Sequence, residues 1–359
     1  MTSQLLYTET EDDLRAAVRS LLTDRADPSV LLGRIESDDP YVPGLWKSLA
    51  GDMGAAGLLV PEKLGGQGAS HREAAVVLEE LGRAVTPAPY LTSAVVATET
   101  LLALDTESGP VVELLAGLAS GRTVAVLAVP LSAAPDAEPP ISGTVTGVAD
   151  AVAADVFLVP REDGLHAVPA ADATVAPQTP LDLTRPLAAV TTDGTSGTRL
   201  ADAAEATSAI RRGLLAGAGL LASEQLGLAE WCLEETVRHT RERYQFNRPV
   251  GSFQALKHRM AQLWLEIVNA RAAARAAADA LATGSPEAPL TVAVAQAYCS
   301  KVAVHAAEEC VQLHGGIGMT WEHPAHLALK RAKSDQIALG SVGRHQDAIA
   351  ALVGLPAPA

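Results

Sequence analysis

The chain has 359 residues, 48% of them hydrophobic and only 3% aromatic, and a formal net charge of -15. That length supports roughly two or three packed units, each with its own core. The acidic balance argues against nucleic acid or an anionic membrane as the main partner, although a local basic patch can still hold a phosphate-bearing ligand.

No apolar run approaches the roughly 20 residues that a membrane-spanning helix needs. The first residues, Met1 to Arg15, lack the basic-then-apolar order of a signal peptide. A cytoplasmic protein is expected. Cys232, Cys299 and Cys310 lack CxxC spacing and lie in helical stretches, so they read as buried thiols in a reducing compartment.

Along the chain, residues 1–120 read as a helical domain. Leu14, Val18, Leu21 and Leu22 recur at helical spacing, as do Ala75, Leu78, Leu81 and Gly82. Between them Val60 to Gly68 is a loop by its Pro and Gly content, and Ala88-Pro89 is expected to close the second helix. Residues 121–203 change texture. Short apolar runs, Val124 to Val129 and Val156 to Val159, alternate with Pro, Gly, Asp and Thr clusters, the pattern of a compact β-domain. Residues 204–359 return to helix. Ile210, Leu214, Leu221, Leu228 and Leu233 form one stripe on a long helix ending near Arg243. Further helices are expected after Phe253, from Val292 to Leu313, and from about His345 to Val353. The fold class is therefore α+β, helical then β then helical, with a four-helix bundle at the C-terminal end.

Two features carry chemistry. Arg243 at a helix C-terminus is favourable against exposed carbonyls, and its fixed fork of donors also suits a pair of phosphate oxygens. Gly315-Gly316, with Gly318, supplies a helix cap and allows a ligand to approach the backbone closely. His314, His323 and His326 do not read as a metal site, because the pair His323/His326 encloses a proline and no cysteine or carboxylate cluster completes a set.

The element order and four motifs together resemble the acyl-CoA dehydrogenase family over essentially the whole chain. The motifs are Val60 to Gly66, Glu79 to Arg83, Arg243 to Val250 with Phe253-Gln254, and Gln312 to Gly318. The resemblance implies FAD as cofactor and α,β-desaturation of an acyl-CoA thioester, with electrons passed to an electron-transferring flavoprotein. It also implies subunits that share FAD across an interface. Arg243, Gln245, Phe246, Gln254, Gln312, His314, Gly315 and Gly316 match positions at which the family reaches a neighbour's FAD.

Three departures accompany the match. Leu339 stands where many members carry the catalytic glutamate, and Gly217 stands where others keep it. No catalytic residue is therefore assigned. The loop that lines the flavin ring has no counterpart after Val129-Pro130, and the β-zone contains no tryptophan. The expected reading is the small, base-lacking member of an α2β2 pair, its partner supplying the catalytic carboxylate, often for bulky acyl-CoA substrates of fatty acid or sterol side-chain degradation. Two alternatives stay open. One is a self-sufficient homomeric enzyme with Glu224 or Asp335 as a relocated base, although each reads first as a helix-surface or N-terminal charge. The other is a non-enzymatic scaffold of the same fold.

Overall fold

The computed structural model describes residues 5–37, 39–141 and 143–355. The N-terminal layer contains α1 (Glu9–Arg25), α2 (Pro28–Arg34), α3 (His71–Ala84), α4 (Thr98–Leu102) and α5 (Gly109–Ala119). Two of these begin at capping boxes. In α3 the Ser70 hydroxyl accepts from the Arg72 N–H at 3.1 Å, and Glu73 Oε2 accepts from the Ser70 N–H at 2.9 Å, so orphan donors of the first turn are satisfied. Ala88-Pro89 does not close α3. That helix ends at Ala84 with Val85 left-handed at φ 47°, and Pro89 instead opens a π-helical stretch, Tyr90–Ala97, that runs into α4.

The middle of the chain forms two sheets. The first joins β1 (Ala125–Leu127), β3 (Val156–Arg161), β4 (Gly164–Pro169) and β7 (Thr198–Ala201); the second has the order β2 (Thr144–Ala149), β6 (Leu187–Thr191) and β5 (Thr174–Gln178). Their facing residues, including Val126, Val148, Phe157, Val168 and Val190, close a small core of their own. The Ala125 N–H donates to Ser93 Oγ at 3.1 Å, which ties the first sheet to the helical layer.

The C-terminal bundle consists of α6 (Ala203–Glu242), α7 (Gln254–Ala282), α8 (Ala288–His314) and α10 (Val342–Leu352), with α9 (Ala325–Asp335) against it. α8 starts four residues before the expected Val292, because Pro289 is well placed in a first helical turn. α9 has no counterpart among the expected helices. α6 is capped by Asp202, which accepts from the Ala204 and Glu205 N–H groups, and it buries Ile210, Leu214, Leu221 and Leu228. Each such side chain contributes about 1.5–3 kcal/mol by burial. α3 and α6 touch backbone to backbone: a Cβ on Gly82 or Gly227 would run into the carbonyl of Glu224 or Glu79. Among the described residues, no helix is long and apolar enough to cross a membrane.

Candidate functional site

The two positions left without a carboxylate face each other. Leu339 is buried, and its N–H donates to the Leu131 carbonyl at 2.7 Å while its own carbonyl accepts from His345 Nε2 at 3.0 Å. This holds Leu339 in the left-handed region at φ 52° and aims its side chain at α6. A Cβ on Gly217 would lie 2.6 Å from Val96 Cγ2 and 3.1 Å from Leu339 Cδ1, so even alanine crowds there. The space left beside them, walled by Leu91, Val96, Leu131, Leu214 and Leu339, is about 30 Å³. It holds about two or three water molecules.

Below that plug, charge is buried. Glu224 and Asp335, expected as helix-surface or N-terminal charges, are instead 2% and 0% exposed. Two guanidinium groups hold them. Arg331 Nη1 lies 2.5 Å from Glu224, and its Nε lies 2.6 Å from Asp182. Arg185 pairs with Glu224 and, at 3.2 Å, with Asp335. Arg331 also donates to the Thr184 carbonyl at 2.8 Å. Burial, and then the nearby Glu224, push the Asp335 carboxyl well above its usual range. Burial works against the Arg331 charge, but Asp182, Glu224 and Asp335 outweigh it and push its pKa up. Neighbouring Asp150, bound to Tyr41 and Thr92 at 2.7 and 2.8 Å, is raised by burial. The accompanying cavity is only about 10 Å³. The cluster pins the loop Asp182–Arg185 to α6 and α9 and keeps both candidate bases buried.

The rest of the expected site lies on an open face. Arg243 caps α6, its N–H donating to the His239 carbonyl at 2.9 Å, and leads into a hairpin of β8 (Tyr244–Gln245) and β9 (Arg248–Pro249). The turn residues Phe246 and Asn247 both have positive φ, 54° and 61°, as a two-residue hairpin turn requires. Phe246 is 84% exposed, and Arg243, Gln245 and Gln254 are exposed with it. Phe253 braces the arm: Phe246 meets it edge-on at 6.0 Å, and the Arg248 guanidinium lies 3.8 Å above its ring. Among the described residues, no carboxylate pairs with Arg243. Gln312, Gly315 and Gly316 are exposed at the end of α8, and a Cβ on Gly316 would meet nothing within 4 Å.

His314 is the exception within the expected set. Its ring turns inward, Nδ1 donating to the Cys310 carbonyl at 2.6 Å, and stacks between His239 at 4.2 Å and His323 at 4.4 Å. Glu235 Oε1 lies 3.7 Å from His314 Nε2 and 3.5 Å from His323 Nε2. The expectation that no carboxylate joins these histidines is thus corrected: α6 delivers one from 79 positions away along the chain. His326 stands apart, packed on Trp321 at 4.7 Å.

The exposed Arg243 guanidinium and the open backbone at Gly315-Gly316 are groups of the kind that hold phosphates, so this face has chemistry that fits the pyrophosphate of an FAD molecule.

The comparisons agree with this architecture. The model of the acyl-CoA dehydrogenase C-terminal domain matches residues 207–353, and that of the N-terminal domain matches residues 8–109. The chain is similar to acyl-CoA dehydrogenase IpdE2 of Mycolicibacterium smegmatis, 37% identical over 333 residues, which are 92% of this chain and 95% of that protein. It is similar in structure to a chain of the ChsE4-ChsE5 complex from Mycobacterium tuberculosis, with TM-score 0.85, 25% identity, and 99% of this chain and 100% of that chain covered. A chain of the Tcur3481-Tcur3483 steroid ACAD also has TM-score 0.85, with 26% identity, and 96% and 98% of the two chains covered.

Proposed function

Because the chain belongs to the acyl-CoA dehydrogenase family, whose members are FAD-dependent oxidoreductases, we propose that it is the base-lacking subunit of a heteromeric acyl-CoA dehydrogenase. The observation that carries this reading is the packing of Leu339 against Gly217, which closes both places where the family keeps its carboxylate. FAD, held mainly by the partner, supplies the acceptor for the β-hydride of the thioester. This chain's part is to bind. Arg243 offers two parallel donors to the pyrophosphate, Gln254 and Gln312 offer amides, and Gly315-Gly316 offers bare backbone. The carboxylate that removes the α-proton comes from the partner. A bulky, steroid-type acyl-CoA is the proposed substrate class and an electron-transferring flavoprotein the proposed acceptor. The similar Mycobacterium tuberculosis chain comes from a two-component complex, and the other similar structure is a steroid ACAD.

The test is the visible flavin spectrum of this chain purified alone and after co-expression with a second dehydrogenase-like chain encoded beside it. The expected result is a colourless protein alone, and a yellow complex that is bleached by an acyl-CoA. A lone chain that binds FAD and is reduced by an acyl-CoA would sink the reading.

A further inference from the structure

We propose that Glu235, His314 and His323 form a binding site for a borderline divalent cation of the zinc class, beside the glycine loop. Nothing in the desaturation chemistry uses these three side chains, and they come from three separate elements: the middle of the last third of α6, the end of α8 and the loop before α9. Their ligand atoms all lie within 4.8 Å of one another. The 3.7 and 3.5 Å separations from Glu235 Oε1 are close to the edge of a tetrahedron whose metal-ligand bonds are about 2.0–2.1 Å.

The independent observation is His314 itself. Its side chain is 0% exposed, and Nε2 has no hydrogen-bond partner among the described residues. A buried ring nitrogen left in this way is unfavourable. With Nδ1–H fixed on the Cys310 carbonyl, Nε2 is aimed toward Glu235 and His323, and once its proton is displaced it presents a lone pair there, as ligating histidines do when a backbone carbonyl orients them. His323 is half-buried on the solvent side, so water can complete a three-ligand site.

Two neighbours compete with the cation. The half-exposed Arg238 guanidinium holds both Glu235 oxygens and must swing outward. The Ala325 N–H lies 3.2 Å from His323 Nδ1, a contact that is given up when Nε2 becomes the ligand. A proton competes as well. Burial lowers the His314 pKa, but Cys310 and Glu235 more than offset this and hold it at about 9.

Metal-depleted full-length chain, without any partner, is titrated with zinc chloride by calorimetry and with cobalt(II) by visible absorption. The expected result is one equivalent bound per chain, with an intense tetrahedral-type cobalt spectrum. Glu235→Gln and His323→Ala should each weaken binding at least tenfold, while His326→Ala leaves it unchanged. The melting transition of each metal-free variant checks that it folds. No stoichiometric uptake, or uptake that survives His323→Ala, would overturn the proposal; the latter would point instead to the half-buried group of His305, Glu266 and Glu309. Because the readout needs neither FAD nor a partner, its failure is distinct from failure of the subunit reading.

Discussion

The interior around Leu339 and the arm around Arg243 lie on the same bundle and follow opposite rules. The interior has filled its space: a leucine, a glycine and a five-member ionic cluster leave cavities of about 30 and 10 Å³. The arm leaves its polar and aromatic groups facing water. A chain that had merely decayed would lose both regions, and one that worked alone would need the interior open. Closing one while keeping the other is what the proposed donor role requires.

The largest effect should come from breaking the interior. Arg331→Met leaves Asp182, Glu224 and Asp335 with one guanidinium, and removing one partner from a buried pair costs about 3–5 kcal/mol. Chemical denaturation of the lone chain should read that loss, and a neutral result would mean that the cluster is wetter than its burial implies. Leu339→Ala should cost about 2–4 kcal/mol through the cavity it opens, without producing any acyl-CoA-dependent flavin reduction. Turnover by this variant would break the comparison, since it would mean that the plug alone had silenced a complete site.

The arm predicts the reverse pattern. Arg243→Ala should leave the melting temperature of the lone chain unchanged, because the side chain is exposed and without a carboxylate partner among the described residues. In the co-purified complex it should weaken FAD retention by about 1.5–3 kcal/mol, the contribution of a charged hydrogen-bonding group. Retained flavin per complex checks this.

The smallest effect concerns pH. Burial and Glu224 raise the Asp335 pKa in the folded state, so the native chain holds a proton that the unfolded chain has released above about pH 4. The stability tied to that proton is present in acid and is lost as pH rises through the raised value. Asp335→Asn cannot ionise, so its stability should fall less steeply between pH 5 and 8 than that of the parent. A parallel decline in the two proteins would show that Asp335 is not the group responsible.

The arm was legible because its signals are local: Arg243 to Pro249 is one contiguous motif, and Gln312 to Gly316 is another. The missing carboxylates at Leu339 and Gly217 were legible in the same way, as single positions in known contexts. The ionic cluster was not. Arg185 and Asp335 lie 150 positions apart, and Arg331 and Asp182 lie 149 apart. Asp182 to Arg185 reads locally as an ordinary turn. Glu224 was misplaced because periodicity assigns faces on the assumption that one side of a helix is wet, whereas this part of α6 is buried all round. Glu235 went unnoticed beside the histidines for a similar reason, since spacing along the chain says nothing about what a crossing helix brings.

α6 also acts as a ruler. Gly217 and Arg243 are 26 positions apart on one continuous helix, about 39 Å at 1.5 Å per residue. A dinucleotide seated beside Leu339 would lie far down the rod from the guanidinium at its tip. On the proposed subunit reading, the arm therefore serves a dinucleotide held by the partner. Substitutions along the tip of α6 should be tolerated or rejected according to which partner is present, while those near its middle should be judged by this chain's folding alone.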